Sequence, residues 1–367
     1  MKKLRDSNFE LLRIVAIVMV IIHHIFVHVV CFELNDHSVY TNGMMFNNLI
    51  FYKRLVLADW ALSFGKIANN IFILISGYFL CSKKNIDVGK SIKKILTQVV
   101  FVSLIIVFSS FIYGWKLNPG FTAMQEISLI NSDYWFIGYY LLIIILGELF
   151  INKRIAKLDR GKYKTLLLIL FAFISTAFMA GLISGITGHL TTLTTGIFLY
   201  LFGGYLKEYK PFKNYKWWMF VLTILFMFGM MAISYRNLAV SNINIAIKDN
   251  VEMINQSFGE YTERSFSCIL IAICVFELFS RLKIKSNKII NYIASSTLII
   301  YMLHDNDFAR KLWQEIDFIK PYHDNMIGFI LMILFNILLV MVLGIIFNAI
   351  YNLIMKYVNL IMEEKKN

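Results

Sequence analysis

Proline is scarce in this chain: Pro119, Pro211 and Pro321 are the only three in 367 residues. All three are predicted in loops, so the proline-interrupted spans of many transporters find little support. AGLISGITGHL at 180–190 is left as the best place for a broken helix. Cysteine is scattered as Cys31, Cys81, Cys268 and Cys274, without the spacing of a zinc site or a disulfide framework. Redox chemistry therefore has no residues to carry it. Charge is thin: 16% of the residues are charged, where a soluble domain carries about 25%. A GxSxG nucleophile elbow is missing. No Ala-x-Ala-like cleavage site follows the first apolar run, and neither internal repeats nor low-complexity segments are evident.

What fills the chain instead is apolar. Hydrophobic residues make up 58% and aromatics 16%, with a mean hydropathy of +0.65. Phe, Ile and Leu recur in runs of roughly 17 to 25 residues, the length a helix needs to cross a bilayer. The sequence predicts an all-α polytopic integral membrane protein, one bundle of about ten transmembrane helices across 1–367 with no separate soluble domain. The spans are placed at roughly 11–30, 67–81, 95–113, 134–151, 165–184, 191–206, 217–234, 265–280, 288–303 and 326–350. The second, sixth and ninth are short, which predicts less tilt, a break, or a place in the interior. The first run holds Arg13, His23 and His24 and reads as a retained helix, not a removable signal peptide.

Basic residues test the span count, because Lys and Arg accumulate in cytoplasmic loops. The N-terminal MKKLR, KKNIDVGKSIKK at 83–94, NKRIAKLDRGKYK at 152–164, KEYKPFKNYK at 207–216, RLKIKSNK at 281–288 and the tail from Lys356 alternate with five segments poorer in basic residues, one of which, around Ser184 to Leu190, is uncharged. Apart from Arg13, these six segments hold 25 of the other 35 basic residues, and the five between them hold 10 basic and 14 acidic residues. An even number of spans with both termini cytoplasmic explains the alternation. The net charge of +13 then anchors the protein against lipid headgroups, and nucleic acid is not expected as a partner. YKWW at 215–218 and DYWF at 133–136 fall at predicted interfaces, where aromatic belts form.

Polar groups inside the first run need an explanation. A helix advances about 100° and 1.5 Å per residue, so eleven steps from Arg13 to His24 leave about 20° between their directions and roughly 16 Å along the axis. They share a face. His28 lies one turn beyond His24 on nearly the same face, whereas His23 points elsewhere. Arg13 could snorkel to headgroups, and a lone membrane histidine could be an interhelical hydrogen-bond donor. A pair facing other helices instead lines a cavity, where Arg13 suits a phosphate and neutral His24 suits proton transfer to an oxygen nucleophile.

NFELLRIVAIVMVIIHH resembles the first helix of the membrane-bound acyltransferase family 3, whose mark is a basic residue, ten residues, then histidine. Arg13 and His24 match it. NNIFILISGYFL at 69–80, DYWFIGYYLLIIILGELFINK at 133–153, GIFLYLFGGYL and IIYMLHD resemble later segments of the family in order, so the likeness covers almost the whole chain. The family's common pattern has Pro after the histidine of the ninth span; here Asp305 follows His304. The resemblance implies a multi-pass O-acyltransferase of the bacterial cell membrane, of the stand-alone form. Such an enzyme moves an acyl group, often acetyl from acetyl-CoA, onto a sugar of a surface polysaccharide, cell-wall glycopolymer or lipid-linked glycan. The partners it implies are acyl-CoA, a glycan or glycolipid acceptor, membrane lipids and polysaccharide-biosynthesis proteins. Low proline with high Ile, Lys and Asn is compatible with an AT-rich bacterial source. No permanently bound cofactor and no metal are expected, because thioester-to-alcohol transfer needs neither.

His24 is then a general base on the acceptor hydroxyl or a transient acyl carrier, with Arg13 as its catalytic companion; the sequence leaves both routes open. A transporter or flippase of a glycan or lipid-linked precursor is the competing class. Around the pair, Ser76 is a hydrogen-bonding wall or, with Gly77, a small-residue helix contact. Tyr78 lines a cavity or packs. Trp135, Tyr139 and Tyr140 line a sugar path or form an interface belt. Glu148 reads as a local ion-pair partner of the loop that begins at Lys153, and His189 as a surface residue. His304, beside Asp305 and Asp307, binds the acceptor or acts as a carboxylate-oriented base, unless it is an ordinary polar helix end.

Overall fold

A computed structural model of the chain describes residues 6–31, 49–83, 85–117, 134–175, 190–249 and 261–364. Every regular element among them is helical: α1 (Ser7–Ile25), α2 (Leu49–Leu80), α3 (Val88–Leu117), α4 (Trp135–Leu146), α5 (Asn152–Ile155), α6 (Arg160–Ser175), α7 (Leu190–Tyr209), α8 (Trp217–Asp249), α9 (Phe266–Ser280), α10 (Lys288–Ser295), α11 (Thr297–His304), α12 (Asp307–Gln314), α13 (Ile319–Asp324) and α14 (Met326–Glu364). Single π-helical turns follow α1 at Phe26–Val30 and α4 at Gly147–Ile151. Helix is the form that satisfies every backbone N–H and C=O within one segment, which a lipid environment demands. Five described helical segments are long and apolar enough to cross a membrane: Ser7–Val30, Val88–Gly114, Trp135–Ile155, Trp217–Asn237 and Met326–Glu364.

The outer faces of α3 and α14 confirm which solvent they meet. Leu104, Phe108, Ile327, Phe335 and Leu338 are all exposed, a continuous apolar surface that water would not tolerate. Helix α1 takes the opposite position. Leu12, Ala16, Ile17, Ile21 and Ile25 are all fully buried, and α1 packs against α2, α9, α10, α11 and α14 at once. The Arg13 and His24 helix is therefore the central one.

Helix α2 begins at Leu49, well before the predicted span at 67–81. Asp59 and Lys66 interrupt the apolar run and hide its first half from hydropathy, but both are paired: Tyr261 donates to Asp59 Oδ2 at 2.5 Å, and Lys66 Nζ lies 3.1 Å from Glu263 Oε1. The ninth span divides at Ser296 into α10 and α11. Pro321, expected in a loop, is the third residue of α13, within the first turn where its missing N–H costs nothing. Glu148 accepts the Ile86 N–H at 2.7 Å instead of pairing with Lys153, tying the segment just before α3 to the turn after α4. His189 and all of AGLISGITGHL except Leu190 lie outside the described residues.

The described basic segments meet at one end of the bundle. Ser7 accepts the Asn287 N–H at 2.7 Å, Arg281 donates to the Phe212 and Tyr215 carbonyls at 2.7 and 2.6 Å, and Lys207 reaches Ser82 at 3.3 Å. The opposite end holds the Asp59–Tyr261 and Lys66–Glu263 pairs, and Gln314 on the His28 carbonyl.

Candidate functional site

Between α1, α2, α3, α4 and the α10–α11 pair lies a cavity of about 400 Å³, within the 300–1,000 Å³ of ordinary ligand pockets. Helix α1 lines it with Glu10, Arg13, Ile17 and Val20, an i, i+3, i+7, i+10 stripe that follows the helical repeat. Helix α2 contributes Asn69, Phe72 and Ser76 by the same rule, and α4 contributes Phe136, Tyr140 and Ile144. Arg13, Ser91 and Lys94 stand at the basic end. Further in, Phe72, Phe136, Ile144 and Leu298 make most of the wall, broken by Ser76, Tyr140 and Tyr301.

The next residue of the α1 stripe after Val20 is His24, one turn or about 6 Å further along the axis. Its ring is held in a group of buried polar side chains. His24 Nδ1 lies 3.1 Å from His304 Nε2, and His24 Nε2 lies 3.5 Å from Asp305 Oδ2. His304 Nδ1 donates to the Ile300 carbonyl at 2.6 Å. Arg310 Nη2 meets Asp305 Oδ1 at 2.6 Å, so the carboxylate, 3% exposed, has its counter-charge in place. His28 Nε2 approaches the same oxygen at 3.8 Å. Tyr301 belongs to both halves: it lines the cavity, its ring is 6.4 Å from that of His24, and it hydrogen-bonds Asp305.

Local folding explains why these groups stay in place. The π turn at Phe26–Val30 opens the α1 backbone just beyond His24, and Gln314 Nε2 donates to the His28 carbonyl there at 3.2 Å. Wide turns of this kind recur at functional sites. At the other wall, Asn306 caps α12 by accepting the Ala309 N–H at 2.9 Å and donates to Met302 O at 2.9 Å, which pins the turn that carries His304 and Asp305. His304, Asp305 and Asn306 are buried, so this is not an ordinary polar helix end.

The other residues marked from sequence divide cleanly. Ser76 donates to Phe72 O at 2.9 Å and lies 3.4 Å from the Tyr140 hydroxyl, both side chains on the cavity wall. Its proton is committed to the backbone, which leaves it a poor nucleophile. Gly77 faces the other way, where a methyl group would run into the Tyr200 carbonyl of α7. Tyr78 packs with Phe9, 4.9 Å between centroids, away from the cavity. Trp135 and Tyr139 also stand outside it: Lys66 sits 5.5 Å over the Trp135 ring, and the buried Tyr139 hydroxyl abuts Gly196. Arg13 pairs with Glu10 at 2.8 Å and is 31% exposed, at the cavity mouth. His23 turns to Gly65 of α2, where any larger residue would strike its ring.

Sequence reading missed Arg310, Lys94 and Gln98. The first lies on a short amphipathic helix between predicted spans, and its pairing with Asp305, like the placement of the other two, required the fold. As to metals, His24, His28 and Asp305 each present a ligand atom within 4.8 Å of the others, a spacing a divalent cation can bridge. Arg310 already holds Asp305 Oδ1, the oxygen that faces His28.

The described helices thus form a membrane-type bundle whose basic-mouthed cavity ends one helical turn short of His24. A family model described as an acyltransferase domain, acyltransferase family 3, matches residues 6–349, and the chain belongs to that family. It is a membrane acyltransferase. No curated protein and no solved structure matches the chain.

Proposed function

We propose that the protein transfers an acyl group, acetyl from acetyl-CoA, to a sugar hydroxyl of a cell-surface polysaccharide, cell-wall glycopolymer or lipid-linked glycan. The observation that carries this reading is the α1 stripe, which runs from Arg13 at the basic mouth through the cavity wall to His24. Positive-inside bias puts the basic end, and both termini, at the cytoplasmic face of a bacterial plasma membrane. Acyl-CoA enters there. Its phosphates meet Arg13 and Lys94, and the pantetheine arm passes Ser76 and Tyr140 along the apolar wall. His24 acts as general base on the acceptor hydroxyl, with Tyr301 between donor and base. Acyl transfer by this route is thioester plus alcohol to ester plus thiol, with the proton carried from alcohol to sulfur.

Purified protein in lipid, given labelled acetyl-CoA and a panel of glycan acceptors, tests the reading. Labelled ester and stoichiometric CoA release are expected. CoA-independent movement of a lipid-linked glycan across vesicles, with no labelled ester, would instead make the protein a transporter.

A further inference from the structure

The contacts around His24 fix more than its position. A carbonyl oxygen only accepts, so the 2.6 Å contact with Ile300 O puts a proton on His304 Nδ1. A neutral imidazole carries one N–H, which leaves His304 Nε2 an acceptor. The 3.1 Å contact with His24 is then donated by His24 Nδ1. A second proton on His304 would need a counter-charge, and the nearest carboxylate, Asp305, is already matched by Arg310 at 2.6 Å. His24 Nε2 is left bare. Its 3.5 Å separation from Asp305 Oδ2 fits two unprotonated atoms better than a hydrogen bond.

The geometry points to His304 as a positioning residue that holds the proton of His24 on Nδ1. It makes Nε2 the base and seats the acceptor hydroxyl in the recess formed by Nε2 of His24, Nε2 of His28 and the Asp305 carboxylate. This rests on the reading of His24 as the base. Each of the three residues offers an atom within 4.8 Å of the others, and His24 Nε2 and His28 Nε2 lie 3.5 and 3.8 Å from the Asp305 oxygens, so a hydroxyl about 3 Å from His24 Nε2 gives that nitrogen its one proton with His28 and Asp305 around it. The recess takes a primary or secondary alcohol, as on a sugar, and it lies beyond His24 from the cavity mouth. Donor and acceptor thus approach the same ring from opposite ends. In the transfer, the alcohol proton moves to His24 Nε2, the oxygen bonds to the thioester carbonyl carbon, and the carbon–sulfur bond breaks. The thiolate then takes the proton from Nε2. The Asp305–Arg310 pair stabilises the transient imidazolium without itself being protonated.

Two measurements test this. Solid-state ¹⁵N NMR of histidine-labelled protein in bilayers, with His24 assigned by its loss in His24→Gln, reads the tautomer without any turnover. A proton on Nδ1 is expected, and a proton on Nε2 in the wild type overturns the proposal. In turnover, His304→Phe is expected to lower kcat on the order of 100-fold with the acyl-CoA KM within about twofold. His304→Gln, which still offers an acceptor to His24 Nδ1, is expected to recover about tenfold of that loss. Equal kcat in the wild type and His304→Phe overturns the positioning role. Wild-type protein that transfers no acyl group overturns the acyltransfer reading and the alcohol recess with it, whatever the tautomer. Should His304→Phe fail to fold, the wild-type spectrum decides.

Discussion

Each polar side chain in the bundle works against a local cost, and the partner it takes reveals its task. Arg13 is half-satisfied by Glu10 at 2.8 Å, close enough for neutrality yet open at the mouth for a stronger anion. Arg13→Lys is expected to raise the acyl-CoA KM several-fold, because a point charge replaces a bidentate fork. Glu10→Gln, which frees the guanidinium, is expected to lower it; KM values measured side by side check the pair. His24→Ala is expected to lose kcat by about 10²–10⁴-fold, the usual worth of a general base. His23→Ala is expected to retain kcat within about threefold, since its ring packs on Gly65. Steady-state rates on equal amounts of folded protein separate the two histidines. Periodicity alone made the Arg13–His24 face legible, because both residues sit on one helix. Their counterparts were not: His304 lies 280 positions from His24, and neither its burial nor the Arg310 charge on Asp305 leaves a trace in local sequence pattern.

At the scale of elements, hydropathy found the helices whose apolar runs are unbroken and shortened the one whose charges are paired across the bundle. Helix α2 looked half its length because Asp59 and Lys66 stand in it, and their partners Tyr261 and Glu263 come from some two hundred residues later. Helices α2 and α7 approach closely through a reciprocal pair: Gly77 faces the Tyr200 carbonyl, and Gly203 faces the Leu74 carbonyl. Backbone cannot move aside as a side-chain tip can. Gly77→Ala is therefore expected to destabilise the fold by about 1–3 kcal/mol, read as a lower thermal midpoint in detergent. Gly138, around which there is open space, is the control, and Gly138→Ala should leave the midpoint within about a degree or raise it.

For the whole molecule, the meeting of the basic segments at one end is the property that orients everything else. A cysteine placed at Lys157 or Lys285 should react with an impermeant maleimide only from the cytoplasmic side, and one at Asp317 only from outside. All three are exposed positions, and the four native cysteines are buried. Labelling of Lys157 and Asp317 positions from the same side would remove the proposed donor entrance. The charge alternation grouped the basic segments from sequence, but the cavity required the packed bundle, because it is bounded by five different parts of the chain.

The wide turn at Phe26–Val30 has one more consequence. An i→i+5 bond joins the Cys31 N–H to Phe26 O, so this segment accommodates one residue more than a regular helix of the same rise. It takes up one extra residue within a single rod. Before it, α1 keeps step with the cavity; within it, His28 keeps step with the turn that bears Asp305. Removing one residue there, Val27 for example, would turn the i→i+5 bond into a regular i→i+4 bond, leave Cys31 in register with Phe26, and move His28 one position back along the turn. His28 would leave the recess while His24 and Arg13 stayed on their stripe, separating the chemistry of the two ends without touching a single functional side chain.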